Sequence, residues 1–88
     1  MGSDEKLIKK IFRSEIPKDI TFQELKRLLK NVGFVLQNQR GSHHSYKHAK
    51  LKYILTITAH SDKEQIKPVY IKIVKDALED IGINGEQI

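Results

Sequence analysis

His43 is the residue of this chain best suited to do chemistry, because of what precedes and follows it. Gly41-Ser42 directly before it is a pair typical of a tight turn, and the residues after it alternate as in a β-strand. A side chain at the start of such a strand is rigidly held and still reaches solvent. Imidazole has an unperturbed pKa of roughly 6.5, so it can take up and release a proton near neutral pH. The position predicts an acid–base residue.

The surroundings of His43 are basic and polar, with Arg40, Lys47, Lys50 and Lys52 within a dozen positions. The 88 residues include 16 Lys and Arg against 11 Asp and Glu, for a formal net charge of +5 and a pI of about 9.5. Cations attract phosphates whatever the base sequence, so an exposed histidine among them indicates chemistry on a phosphodiester. Charge by itself is a weaker signal, since many lysine-rich domains are simply well solvated.

Strand alternation separates His43 from its neighbour His44. His44 and Tyr46 share one face of the predicted strand, whereas His43 and Lys47 share the other. If Tyr46 points into the core, His43 points to solvent. The pattern therefore predicts that His43 is the reactive residue, that His44 is a partly buried strand residue, and that His48 lies at the surface near a turn.

A metal site is not predicted. His44 and His48 are four residues apart, a spacing that would align two imidazoles on a helix. On a strand it separates them by about 13 Å, too far to share one ion without a bend. The chain has no cysteine, and no cluster of Asp or Glu completes a site for a hard metal ion. We expect neither a metal nor any other cofactor.

Two helices are predicted before the strands. The first spans about residues 4 to 12 and ends before Pro17, because the residue preceding a proline is pushed away from the helical region. It either packs on its own domain or serves as a partner-binding arm. The second spans about 22 to 32. Thr21 and Glu24 form a capping box at its start, and Gly33 supplies the left-handed residue at its end.

Three strands and a last helix complete the predicted fold. The strands span about 34 to 39, 42 to 49 and 51 to 58, and the helix begins near Pro68 and ends at Gly82. In the third strand, Leu51, Tyr53, Leu55 and Ile57 would form an apolar face. This order predicts an α+β sandwich in which a three-stranded antiparallel sheet has both main helices on one face.

Gly41-Ser42-His43, between that second helix and the later strands, resembles the HicA family of toxin-antitoxin ribonucleases. The resemblance covers about residues 19 to 84. It implies the fold of double-stranded-RNA-binding modules, an activity that cleaves messenger RNA, and His43 as the catalytic residue. Ile57-Thr58-Ala59-His60 is similar to the family's second landmark, a strand-end histidine that usually follows a proline by two positions. Thr58 stands at the position of that proline here, and Pro68 stands where many relatives have glycine.

The resemblance predicts a metal-independent mRNA endoribonuclease that is restrained by a HicB-like antitoxin and is a monomer when free. Residues 1–20 would be an N-terminal helical extension and connector, and residues 21–88 the ribonuclease domain. His60 is either the acid partner of His43 or a strand-end residue that caps backbone groups. The residues expected to bind RNA are Arg40, Ser42, Lys47, Lys52 and His60.

Two other functions remain open on the sequence. One is a non-catalytic double-stranded-RNA-binding module, which would grip phosphates with basic residues that include Lys67, Lys72 and Lys75 of the last helix. The other is a protein-interaction adaptor that uses the first helix. No apolar run approaches the roughly 18 residues of a membrane span, and the absence of cysteine agrees with a reducing compartment, so we expect a cytoplasmic protein without membrane contact.

Overall fold

The computed structural model describes residues 2–83, which form three helices and one antiparallel sheet. The strand order in the sheet is β1-β2-β3, so β2 is central. The predicted α+β order is confirmed, with the short N-terminal helix in front of it. The elements are α1 (Gly2–Ile11), α2 (Phe22–Asn31), β1 (Val35–Arg40), β2 (His43–Lys47), β3 (Leu55–Thr58) and α3 (Pro68–Asp80).

The ends of α2 are fixed by the residues that predicted them. The Glu24 amide donates to the Thr21 hydroxyl (3.3 Å), and the Thr21 amide donates to the Glu24 carboxylate (3.0 Å). At the other end Gly33 has a φ of +104°, and the Phe34 amide donates to the Leu29 carbonyl (2.8 Å). This is a Schellman motif, which turns the chain sharply from α2 into β1.

The core lies between the sheet and the two main helices. Leu55 and Ile57 of β3 are buried, as are His44 and Tyr46 of β2, so alternate side chains of both strands point toward the helices. Burial of each large aliphatic side chain contributes about 1.5–3 kcal/mol. The helical residues that complete this core are Phe22, Leu25, Leu28, Leu29, Ile71, Val74, Ala77 and Leu78.

The first helix packs on its own domain. Leu7, Ile8 and Ile11 are buried in the same core, and α1 contacts α3. Polar contacts fix its two ends, since Asp4 accepts a hydrogen bond from the Asn31 side chain (2.8 Å) and a salt bridge joins Lys10 to Asp19 (2.7 Å). The apolar face of α1 is therefore not free to serve as a partner-binding arm. No helix within residues 2–83 has the length and apolar character needed to cross a bilayer.

His48 is partly buried rather than a simple surface residue. Its Nε2 donates to the Val32 carbonyl (2.9 Å), its Nδ1 accepts from the Lys50 amide (3.0 Å), and its ring meets the Phe34 ring edge to face. It therefore ties the end of β2 to the end of α2. This contact explains why β2 ends at Lys47, two residues earlier than the alternation predicts.

The third strand is shorter than the predicted 51 to 58. It begins at Leu55, and the side chains of Tyr53 and Ile54 are 45% and 46% exposed. The Tyr53 hydroxyl donates instead to the Asp80 carboxylate at the end of α3. The predicted apolar face is thus wrong at Tyr53, because this phenol finds a charged acceptor outside the sheet. The same hydrogen bond raises the pKa of Tyr53 to about 12.

The raised pKa of Tyr53 predicts a loss of stability in alkali. A group whose pKa is raised in the folded protein stabilises the fold below its unfolded pKa, and the contribution disappears as the pH rises through the folded value. For Tyr53 this window runs from pH 10.0 to about 12. Absorbance titration of phenolate should show a late component that Tyr53→Phe reduces, while Tyr46, whose pKa is raised by burial, contributes the remainder. In Asp80→Asn that component should move toward pH 10.0, and an unchanged midpoint would contradict the role of Asp80.

Two glycines with similar backbones test how closely His48 approaches α2. A Cβ at Gly33 would lie 2.9 Å from Nε2 of His48, whereas a Cβ at Gly82, whose φ is +92°, would meet nothing within 4 Å. Both Gly→Ala variants carry the left-handed backbone cost of about 1–2 kcal/mol. Only Gly33→Ala adds a clash, and overpacking costs about 1–3 kcal/mol. In urea unfolding Gly33→Ala should be the less stable variant, and equal stabilities would refute the clash.

Candidate active site on the open face of the sheet

A two-residue turn sets the position of His43. Gly41 has a φ of +57°, and no residue other than glycine within residues 2–83 has a positive φ, which is the pattern of a type II′ hairpin. Arg40 and His43 therefore face each other as the first cross-strand pair. The Ser42 carbonyl accepts a hydrogen bond from the Ala59 amide (2.9 Å), so the end of β3 is attached to the turn.

An irregularity in β1 decides which face Leu36 occupies. Leu36 pairs with Tyr46 and Asn38 pairs with Ser45, so Gln37 is an extra residue that has no partner in β2. Directly paired residues share a face, and an extra residue shifts the alternation by one. As a result Leu36 lies on the core side with Tyr46, although Arg40, four residues later, lies on the opposite side with His43, its partner across the turn.

The sheet face opposite the helices is polar and basic, and is called the open face below. His43 is exposed at one end of it, on the central strand, with Arg40 on one side and Thr58 on the other. Further along, the hydroxyls of Ser45 and Thr56 are 3.4 Å apart. By strand pairing, the open face consists of Val35, Asn38, Arg40, His43, Ser45, Lys47, Thr56 and Thr58, of which only Val35 is apolar.

A chain of hydrogen bonds holds the imidazole of His43. Its Nδ1 lies 3.3 Å from the Thr58 hydroxyl. That hydroxyl accepts in turn from the Tyr70 hydroxyl of α3 (3.0 Å). The second ring nitrogen, Nε2, takes no part in this chain of hydrogen bonds, and the residue as a whole is exposed. Thr58 could have been found from strand alternation next to buried Ile57, but the local sequence carried no signal for Tyr70.

His44 is a core residue, as the strand alternation predicted. Its side chain is 8% exposed, its Nε2 donates to the Ala59 carbonyl (3.1 Å), and its ring centroid is 4.5 Å from that of Phe22. A carbonyl can only accept, so this hydrogen bond fixes the proton on Nε2. The buried ring links β2, the end of β3 and α2, which is a structural role.

His60 lies in a different environment from His43. It is exposed after β3 and lines a cavity of about 220 Å³ together with Gly41 and His44. Its backbone amide donates to the Glu64 carboxylate (2.8 Å), so Glu64 caps the backbone of His60. The hydrogen-bond chain at His43 runs through Thr58 and not through His60.

The predicted basic residues do not form one cluster. Arg40 is directly across from His43, but Lys47 lies four residues along the same strand, on the order of 13 Å away. Lys52 is exposed in the segment between β2 and β3, beyond that far end. Within residues 2–83, no group of three or more His, Asp or Glu side chains is arranged to hold a metal ion.

These features define a small α+β domain whose open sheet face is basic and carries one exposed, hydrogen-bonded histidine. Among known families, the one described as the HicA toxin of bacterial toxin-antitoxin matches residues 22–83. The match spans well over half of the chain, so the chain belongs to the HicA toxin family, as Gly41-Ser42-His43 predicted. It is a toxin of a toxin-antitoxin pair. Searches of curated proteins and of solved structures give no significant match.

The two neighbouring histidines should respond oppositely to truncation. His44→Ala removes a buried ring and leaves the Ala59 carbonyl without its donor, so we expect a loss of about 2–4 kcal/mol in the free energy of unfolding. His43→Ala changes an exposed side chain and should shift the free energy of unfolding by less than about 0.5 kcal/mol. Urea unfolding of both variants measures the difference. A His43→Ala protein as unstable as His44→Ala would show that His43 is also needed for the fold.

Proposed function

We propose that this HicA-family toxin is a metal-independent endoribonuclease that cleaves messenger RNA with His43 as the catalytic residue. The family is known for cleaving messenger RNA, and the Gly-Ser-His motif is intact in this chain. The observation that carries the proposal is the setting of His43. It is exposed on the open face, with Nδ1 hydrogen-bonded to Thr58 and Nε2 outside that hydrogen bond.

Cleavage without a metal needs three things from the protein. A base removes the proton of the ribose 2′-hydroxyl as its oxygen attacks the phosphorus, cationic donors stabilise the charge on the phosphate, and an acid protonates the departing 5′-oxygen. His43 can be the base or the acid, and positioned acid–base catalysis contributes about 10²–10⁴-fold. The products would be a 2′,3′-cyclic phosphate and a free 5′-hydroxyl.

Arg40 is the best candidate to stabilise the phosphate. It is the cross-strand neighbour of His43 on the same face, and a guanidinium can donate two hydrogen bonds to one phosphate. Lys47 and Lys52 lie too far along the sheet to reach the same phosphate, so we propose that they bind the RNA backbone beyond the cleaved bond. Ser42 lies in the turn and His60 lines a cavity together with Gly41, so both would contact RNA at the turn end of the open face.

We also propose a HicB-like antitoxin as the partner that restrains the toxin. The open face combines Arg40, His43 and Lys47, so an antitoxin that presents acidic side chains there would cover the catalytic residue and compete with RNA. Residues 21–88 would form the ribonuclease unit, and residues 1–20 would form an extension that packs against α3. The free toxin would be a cytoplasmic monomer.

Non-catalytic binding of double-stranded RNA is the second candidate function. Lys67 and Lys72 are exposed at the start of α3, and such modules use a basic helix terminus together with a loop. This mode would need neither an exposed histidine nor its hydrogen bonds. One assay distinguishes the two functions, because a non-catalytic module binds RNA without cutting it.

Substitution of His43 tests the proposed chemistry. His43→Ala should lower the rate of RNA cleavage at least about 100-fold, the smaller end of the acid–base contribution. The measurement is cleavage of one RNA by wild type and variant at equal concentration, with melting temperatures recorded for both. Lys9→Ala, which removes an exposed charge from α1, is the control for loss of a surface side chain and should cleave at the wild-type rate.

Chelator provides the second arm of that assay. Cleavage by the wild type should persist in excess EDTA. Complete inhibition that a divalent ion reverses would refute the metal-independent mechanism. A folded His43→Ala protein that cleaves normally would remove His43 as the catalytic residue, and RNA that is bound but never cut would favour the non-catalytic module.

A further inference from the structure

Two hydrogen bonds join Tyr70, Thr58 and His43 in a line that runs from α3 across β3 to the open face. The distances are 3.0 Å from the Tyr70 hydroxyl to the Thr58 hydroxyl, and 3.3 Å from there to Nδ1 of His43. Thr58 and Tyr70 are half-buried, while His43 is exposed. The line therefore connects an exposed imidazole to side chains that are held by the core.

Thr58 is well suited to hold a neighbouring ring still. It pairs directly with His43 across the two strands, so the backbone sets the separation of the two side chains. A β-branched side chain is stiff about χ1, and the hydrogen bond from Tyr70 fixes the Thr58 oxygen further. An exposed histidine that lacks such a neighbour samples several ring orientations.

The chemical type of the partner distinguishes His43 from the two structural histidines. His44 and His48 each donate from Nε2 to a backbone carbonyl, which accepts only and therefore fixes one tautomer. His43 meets a hydroxyl, which has one hydrogen and two lone pairs. Tyr70 occupies one lone pair, so Thr58 keeps one hydrogen and one lone pair for Nδ1.

Because the Thr58 hydroxyl keeps both a hydrogen and a lone pair for Nδ1, it can hold the His43 ring in one orientation in every protonation state of the ring. When Nδ1 is bare, the Thr58 hydroxyl can donate to it. When Nδ1 carries a proton, the Thr58 oxygen can accept from it. In both cases Nε2 keeps its direction toward the open face, so a proton can be taken up and released there while the ring stays in one orientation.

We propose that Thr58, held by Tyr70, is a positioning residue that keeps Nε2 of His43 aimed at the substrate in both protonation states. The proposal rests on the proposed ribonuclease function and adds two residues to it. It assigns a role to Thr58, which stands where the family pattern usually has a proline. A proline side chain has no hydroxyl, so the hydrogen-bonded arrangement of Tyr70, Thr58 and His43, called the clamp below, requires the threonine of this chain.

Three substitutions separate the hydroxyl from the shape of the side chain. Thr58→Val keeps the β-branched shape and removes the hydroxyl, and it should lower kcat about tenfold, the equivalent of one hydrogen bond, with KM nearly unchanged. Thr58→Ser restores a hydroxyl and should recover most of the wild-type kcat. Tyr70→Phe removes only the outer hydrogen bond and should lower kcat about threefold.

Nitrogen NMR of the RNA-free protein supplies a readout that does not depend on activity. The Nδ1 shift of His43 should change in Thr58→Val and return toward the wild-type value in Thr58→Ser. The His44 signals are the internal control and should stay unchanged, because His44 hydrogen-bonds to Ala59. A change at both histidines would mean that the sheet itself has moved, and would overturn the positioning role.

The outcomes distinguish this proposal from the one on which it rests. If cleavage requires His43 but Thr58→Val has the wild-type kcat and an unchanged His43 spectrum, the clamp is wrong and the ribonuclease proposal stands. If neither the wild-type protein nor any variant cleaves RNA, the ribonuclease proposal fails. The positioning role of Thr58 then fails with it, because there is no catalytic histidine to position. If both kcat and the spectrum respond to Thr58→Val and recover in Thr58→Ser, the clamp is supported.

Discussion

The pairing of β1 with β2 through the Gly41 turn is the constraint on which the rest of the site depends. Because the turn has only two residues, Arg40 and His43 must face each other. The backbone hydrogen bond between Ser42 and Ala59 then brings the end of β3 alongside, and with it Thr58. One glycine at a positive φ thus determines which cation, which imidazole and which hydroxyl become neighbours.

Much of the fold could be predicted because it depends on local rules. The capping box at Thr21, the stop at Gly33 and the start of α3 at Pro68 each follow from backbone hydrogen bonds that a few adjacent residues must satisfy. The alternation of β2 was equally local. The third strand was predicted to be too long because the alternation continued through Tyr53. The hydroxyl of Tyr53 donates instead to the Asp80 carboxylate, 27 positions along the chain.

The site was predictable only in part for the same reason. His43 was identified from its turn and its strand parity, but its support comes from Tyr70 on a helix that follows three strands. His48 looked like a surface residue because its partner, the Val32 carbonyl, belongs to another element. Arg40 was identified as a nearby cation, and the two-residue turn places it across from His43. The face of Leu36, in contrast, depends on the unpaired Gln37, which the spacing of residues in the sequence does not reveal.

That unpaired residue in β1 also bears on how this small domain meets copies of itself. Within residues 2–83, β1 is an edge strand with six exposed side chains, among them the apolar Val35 and Leu36. A regular edge of this kind is a template for strand addition and the growth of aggregates, and bulges are one of the ways in which natural sheets prevent it. The extra residue that brings Leu36 to the core side therefore also makes the free edge of β1 a poor template for a second chain.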